Sequence, residues 1–292
     1  MAFYQPTYHL ISGTAHMKKF RFLTLLLILS SCSSLKYLDA FDGFKNKPKK
    51  VESTTYRVKY IDSLATEEMA FKRVHFYDSK GRKFKSTSFK SDGSPSSGGW
   101  NYSYDKYGNN TQNTLYNKDS SINVQNNFKY NNFGQQIEKE YISDGKKSIT
   151  KNIYNRKNRI QKIVGKKNDG SFSEKAIQRY DKQWREIELI SYNTQSKQKS
   201  RIEFFYDEKG NKIQTKWYNS ENKNYNSYNS TYNFNNDRIR IEKYEIRNGE
   251  SKLINDSKTE YKYDEKGNCI EKTHISNGKA SWITKNKYNY EW

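Results

Sequence analysis

Few groups in this 292-residue chain have types and spacing suited to chemistry. Four histidines occur. His9 and His16 precede Met17, which is a better start, and His75 and His274 lie far apart, each in strand-like text. That separation does not match the spacing of metal ligands. A Ser-His-Asp set can assemble in space from distant residues, but the chain has no Gly-rich phosphate loop, HExxH or GxSxG. Asp207-Glu208-Lys209-Gly210-Asn211 lacks the alternating oxygen donors of a calcium loop and places an ammonium inside it. The chain therefore reads as non-enzymatic, without cofactor or metal. Its aromatics are more suggestive. In KWYNSENKNYNSYNSTYN, Trp217, Tyr218, Tyr225 and Tyr228 stand among lysines and amides. Flat rings beside such donors stack on sugar faces or bases. These four are the candidate ligand-binding residues, with Tyr225 and Tyr228 read as loop residues and the more exposed pair. The competing reading is ladder packing beside a solvated loop.

The N-terminus carries a different chemistry. From Met17 the text is MKKFRFLTLLLILSSC, a basic stretch, a short apolar run and then Ser30-Ser31-Cys32. The run is too short to span a bilayer as a helix and suits the apolar region of an export signal. Small residues before a cysteine resemble the lipobox of bacterial lipoproteins, in which the signal is cut and the thiol of Cys32 is acylated. Residues 1–16 then form an upstream extension, 17–31 the signal, 32–52 the lipidated cysteine and a polar tether, and 53–292 the folded part. Ser33 is not the aspartate linked to inner-membrane retention, so the resemblance implies the outer membrane. Cys269 remains alone, so no intramolecular disulfide is expected.

Losing Lys18, Lys19 and Arg21 takes the formal charge from +21 to +18. Such a balance favours acidic partners, or merely reflects solvated lysine-rich strands. Only 33% of residues are hydrophobic, yet 15% are aromatic, 25 of them tyrosine. That is too little aliphatic content for a compact α/β core, and it favours thin β packing.

The elements that position these residues follow from a repeat. RIEFFYDEKGNKI at 201 returns as KTEYKYDEKGNCI at 258. Tyrosine followed by Asp or Asn recurs at Tyr77, Tyr104, Tyr130, Tyr154, Tyr180, Tyr206, Tyr232 and Tyr263, and in truncated form at Tyr290, at intervals close to 26 residues. Each unit has two turn signals, the Asp/Asn-x-x-Gly stretch and an Asp-Gly or Asn-Gly such as Asp144-Gly145 or Asn277-Gly278. Two turns per unit leave two strands. Ile202, Phe204 and Tyr206 alternate with Glu203 and Phe205 as a strand requires. The expected fold is all-β: an elongated antiparallel meander of about nine stacked β-hairpin repeats, with one short helix over 63–71 (SLATEEMAF).

Tyr102-Ser103-Tyr104-Asp105-Lys106-Tyr107-Gly108-Asn109 and the stretch from Tyr261 to Asn268 resemble the YD repeats of the RHS family. The resemblance covers roughly residues 70–292. It implies a curved sheet or partial shell, of the kind that encloses a toxin in bacterial toxins. The arginine after glycine persists at Arg82, and the glycine gives way to Asn158, Trp184 and Asn236. The functional expectation is a lipid-anchored outer-membrane protein whose basic, aromatic β-surface binds an anionic polysaccharide or an envelope protein. The alternative is an accessory or neutralising partner of a secreted toxin. Nucleic acid is disfavoured by tethering outside the cytoplasm.

Overall fold

The computed structural model describes residues 44, 46–167, 169–193, 195, 197–221 and 224–291. The signal, Cys32 and most of the expected tether lie outside these residues. In chain order the strands are β1 (Lys50–Ile61), β2 (Leu64–Tyr77), β3 (Lys83–Lys90), β4 (Gly99–Tyr104), β5 (Asn110–Tyr116) and β6 (Ile122–Tyr130). They continue as β7 (Gln136–Ser143), β8 (Lys146–Asn155), β9 (Ile160–Lys166), β10 (Phe172–Tyr180), β11 (Glu186–Tyr192) and β12 (Gln198–Tyr206). The last six are β13 (Lys212–Tyr218), β14 (Tyr225–Tyr232), β15 (Arg238–Arg247), β16 (Glu250–Tyr263), β17 (Cys269–Ser276) and β18 (Lys279–Asn289).

Every strand pairs antiparallel with its successor, and β18 pairs with β1 from Lys50↔Asn289 to Arg57↔Trp282. The 18 strands therefore close into a barrel, not the open ribbon or partial shell expected from the repeat. Closure removes the two unpaired edges that an open meander would expose to aggregation. The helix expected over 63–71 is also absent. Residues 64–71 belong to β2, which pairs with β1 along its length around a turn at Asp62 and Ser63 (φ 47° and 71°). Pairing along β1 outweighs the helical preference of Ala, Glu and Met.

All the Tyr-Asp/Asn turns lie at one rim. At Asp207 the backbone N–H donates to the Asn211 carbonyl, Gly210 N–H donates back to the Asp207 carbonyl, and Gly210 has φ 86°. The Asp207 carboxylate accepts from the Asn211 backbone N–H (2.8 Å) and side chain (2.9 Å). Asn131 makes the equivalent bonds, which is why Asp and Asn interchange here. Trp184 (φ 62°) and Asn236 (φ 64°) take the left-handed place of glycine. In the Tyr154 unit that conformation falls on Arg159 (φ 52°), not on Asn158.

Above these turns the anchor tyrosines tie each hairpin to the previous one. The hydroxyls of Tyr104, Tyr130, Tyr206 and Tyr232 donate to the carbonyls of Lys83 (2.8 Å), Asn110 (2.7 Å), Glu186 (2.7 Å) and Lys212 (2.9 Å). In the last two units this role passes to Tyr261, on Arg238 O, and Tyr288, on Cys269 O. Tyr263 instead donates to the Asp237 carboxylate, and Tyr290 accepts from Asn268. Among the described residues, the buried hydrophobic set is only Val51, Val58, Val74, Tyr77 and Ala176. The barrel is a single layer wetted on both faces, so 33% hydrophobic content suffices to build it.

Candidate functional site

The two faces of the wall differ in chemistry, and chirality decides which is inside. In β15 the backbone groups of Ile241 and Lys243 point towards β16, in phase with Arg247, which flanks the Asn248-Gly249 turn opposite Glu250. When an L-residue of an upward-running strand aims its side chain at the viewer, its N–H and C=O lie to the viewer's right. Seen from the Ile241/Lys243 face, β16 therefore stands to the right of β15. Following the paired residues around the ring returns to β1 about 20 residues farther along, the stagger of strands tilted by about 40°. Barrel strands coil right-handed. A stagger that climbs in chain order then puts β16 to the left of β15 for an observer outside. The Ile241/Lys243 face lines the lumen.

The register carries this assignment to every strand, because directly paired residues share a face. Outside lie Glu52, Glu138, Glu140, Glu174, Glu188, Glu203, Glu242, Asp256 and Glu271. Each is ion-paired, for example with Lys72, Lys129, Lys147, Lys162, Arg179, Arg201, Arg240 or Lys262. Lys50 and Lys72 hold the Glu52 carboxyl down to about 2. A lipid-facing wall needs an apolar band. This outer wall is laced with ion pairs at mid-height and meets water.

The lumen is different. Arg57 lies 5.1 Å from the ring centre of Trp282, Arg73 4.8 Å from Phe71, Lys139 6.0 Å from Phe128, Lys243 5.7 Å from Tyr228 and Lys272 5.7 Å from Tyr261. Among the described residues none of these five cations has an ion pair. The inward-facing pairs Lys59–Glu68 and Arg247–Glu245 sit at the rim opposite the tyrosines. Between the cations stand small polar residues such as Ser86, Asn126 and Ser257, each nearly buried by its larger neighbours. Burial pushes the hydroxyls of Tyr180 and Tyr261 up to about 12. Eighteen strands set the backbone ring about 35 Å across, wide enough for an aqueous bore. What this wall can do is hold an anionic ligand that has flat or ring-shaped faces.

The four aromatics singled out from sequence divide between the faces. Tyr225 and Tyr228 are strand residues in β14, not loop residues, and both are half-buried. Pairing of Tyr218 with Tyr225 places both on the outer wall, rings 4.8 Å apart. There Tyr218 donates to Glu203 at 2.8 Å, beneath Arg201. Trp217 and Tyr228 point into the lumen, 6.2 Å apart and edge-to-face. Trp217 is 51% exposed, making it the accessible flat ring of the set. Sequence reading missed Trp282, Arg57, Lys139, Lys243 and Lys272. Parity was the available signal for the cations, since Arg57 falls out of phase with Glu52, Lys139 with Glu138 and Glu140, Lys243 with Glu242, and Lys272 with Glu271. Among the described residues no group of acids, histidines or cysteines is placed to hold a metal. Cys269 is half-buried at the tyrosine rim, and burial pushes its thiol up. Cys32 lies outside the described residues.

No protein-family model and no curated protein matches the chain. Among solved structures, a porin-like protein from Bacteroides uniformis is similar at 9% identity over 84% of this chain and 98% of that one, with a TM-score of 0.40. One from Bacteroides vulgatus is similar at 12% identity over 83% and 98%, with a TM-score of 0.37. TcdB2-TccC3 without its hypervariable C-terminal region is similar at 14% identity over 77% of this chain and 12% of that one, with a TM-score of 0.33. At these scores the likenesses carry no functional argument, which rests on this chain's own residues.

Proposed function

We propose that this is a non-enzymatic, lipid-anchored envelope protein of the outer membrane whose barrel lumen holds an anionic glycan strand. One observation carries the reading: Arg57, Arg73, Lys139, Lys243 and Lys272 lie on aromatic rings inside with no ion pair among the described residues, whereas the outer-wall carboxylates named above are each ion-paired. An acidic polysaccharide offers the charge these cations lack and sugar faces for Trp217 and Tyr228. The lipobox-like stretch ending at Cys32 supports the anchor. The test is binding of polygalacturonate to the full chain in mild detergent at rising salt. Lys243→Gln and Trp217→Ala should each weaken it several-fold, and Tyr218→Phe on the outer wall should not. Failure of the wild type to bind any acidic polysaccharide in a salt-sensitive way would refute the lumen reading. Loss of palmitate-analogue labelling in Cys32→Ala tests the anchor separately.

A second reading, an accessory that holds or neutralises a secreted toxin, is favoured by a contact within the chain. The Phe44 ring packs edge-on against the inward-facing Tyr77 (6.1 Å) and Tyr288 (5.4 Å), and Pro48 is fully buried. The tyrosine rim thus already receives a polypeptide segment. Co-purification with the product of a neighbouring toxin gene would favour this reading over the glycan.

A further inference from the structure

We infer that a groove on the inner wall across β15 to β18 is the subsite that grips a single carboxylated sugar ring of the bound strand. This rests on the lumen reading above and names the glycan class: one built with uronic acid units. The groove is a cavity of about 310 Å³. Its floor is low because Ser257, Thr259 and Thr284 face inward between larger neighbours, Tyr261 on one side and Trp282 on the other.

The lining is matched to such a unit in three ways. Tyr261 and Trp282 offer apolar faces at the scale of one sugar ring. Thr259, Thr284 and His274 place hydroxyl and imidazole groups where ring hydroxyls would lie, and Thr284 is itself held by Thr55 at 3.1 Å. Arg238 and Lys272 supply positive charge, and Arg57 adds more from beside Trp282. No carboxylate lines the groove, and none of the three cations has an ion pair among the described residues. A neutral sugar would leave these charges unanswered. A simple anion would leave the rings uncovered. A uronate answers both.

The orientation is fixed by the wall. Lys272 lies over Tyr261, and the Tyr261 hydroxyl is spent on the Arg238 carbonyl at 3.0 Å, so the phenol presents its ring and not its oxygen. The carboxylate is therefore expected between Lys272 and Arg238, with the ring towards Trp282.

The test is calorimetric titration of the full chain in mild detergent with tetragalacturonate, neutral galactotetraose and inorganic tetrapolyphosphate. Tetragalacturonate is expected to bind at least tenfold more tightly than either control. Trp282→Ala is expected to weaken it about tenfold, and Lys272→Gln several-fold with a smaller salt dependence. Thr259→Trp, which keeps every charge and fills the groove, is expected to abolish the preference over polyphosphate. Circular dichroism identifies any variant that fails to fold, and Thr259→Trp and Lys272→Gln act independently of Trp282. If wild type binds long polygalacturonate while all three variants bind the tetramer as wild type does, the groove assignment is overturned and the lumen reading stands. If wild type binds neither, both fall. Equal binding of polyphosphate would overturn the sugar-ring part.

Discussion

Raising the pH from 9 to 12 is expected to weaken the tyrosine rim and, with it, the wall. Tyr180 and Tyr261 have hydroxyls pushed up to about 12 by burial, and Tyr288 is pushed up further for the same reason. A folded-state pKa above the unfolded value of about 10 means the contribution is fully present below pH 10 and is lost as pH rises through the folded value. A rise from about 10 to about 12 corresponds to about 2.7 kcal/mol per group, and solvent at a half-buried rim reduces that to about 1 kcal/mol each. Three such groups withdraw about 3 kcal/mol from a domain whose total stability is typically 5–15 kcal/mol. The loss is cooperative because Tyr261 and Tyr288 each tie one hairpin to the one before it. The assay is tyrosinate absorbance at alkaline pH with far-ultraviolet circular dichroism on the same samples. A late group of tyrosines should ionise together with loss of β signal. Ionisation of all tyrosines in one step near pH 10, with the β signal unchanged, would refute the ladder.

Other expectations concern the turns, the acid limb and the rim. Asn131→Ala removes an acceptor of two backbone N–H bonds and a donor to Gln135, and should cost about 1–2 kcal/mol in denaturant unfolding. Asn131→Asp keeps the acceptor and should cost much less. Glu52, held near 2 by Lys50 and Lys72, contributes stability that is present above its ordinary carboxyl range and lost as pH falls towards 2. Glu52→Gln should therefore flatten the acid limb of a melting-temperature profile. Tyr206→Phe, which leaves the Glu186 carbonyl without its 2.7 Å donor, should destabilise by about 1 kcal/mol.

The repeat was legible because each unit solves a local problem. Tyr206, Asp207 and Gly210 specify a strand end and its turn without reference to the rest of the chain, and Asn277-Gly278 specifies the opposite turn. Closure was not legible, because Thr55 and Thr284 meet across 229 residues and nothing in either neighbourhood announces the other. Local signals also misled. Ala65 to Met69 carry helical preference that pairing with β1 overrides, and the polar text around Tyr225 and Tyr228 conceals a strand whose amides face neighbouring strands on both sides. The 31-residue interval before Tyr263 hid a substitution within the ladder, where Tyr261 does the work. The sorting of charge was readable in principle: Arg201 and Glu203 alternate with Ile202 and Phe204. Knowing which of the two sets faces inward required the register of the whole ring.

Closure is tested most directly across its seam. Thr55 on β1 and Thr284 on β18 are paired, with hydroxyls 3.1 Å apart. A Thr55→Cys/Thr284→Cys double variant, made with Cys269→Ser, is predicted to form an intramolecular disulfide under mild oxidation, seen as a faster-migrating monomer that reverts on reduction. Recovery of free thiols or of disulfide-linked dimers alone would mean that the chain ends stay apart, and the lumen with its aromatic and cationic lining would not exist.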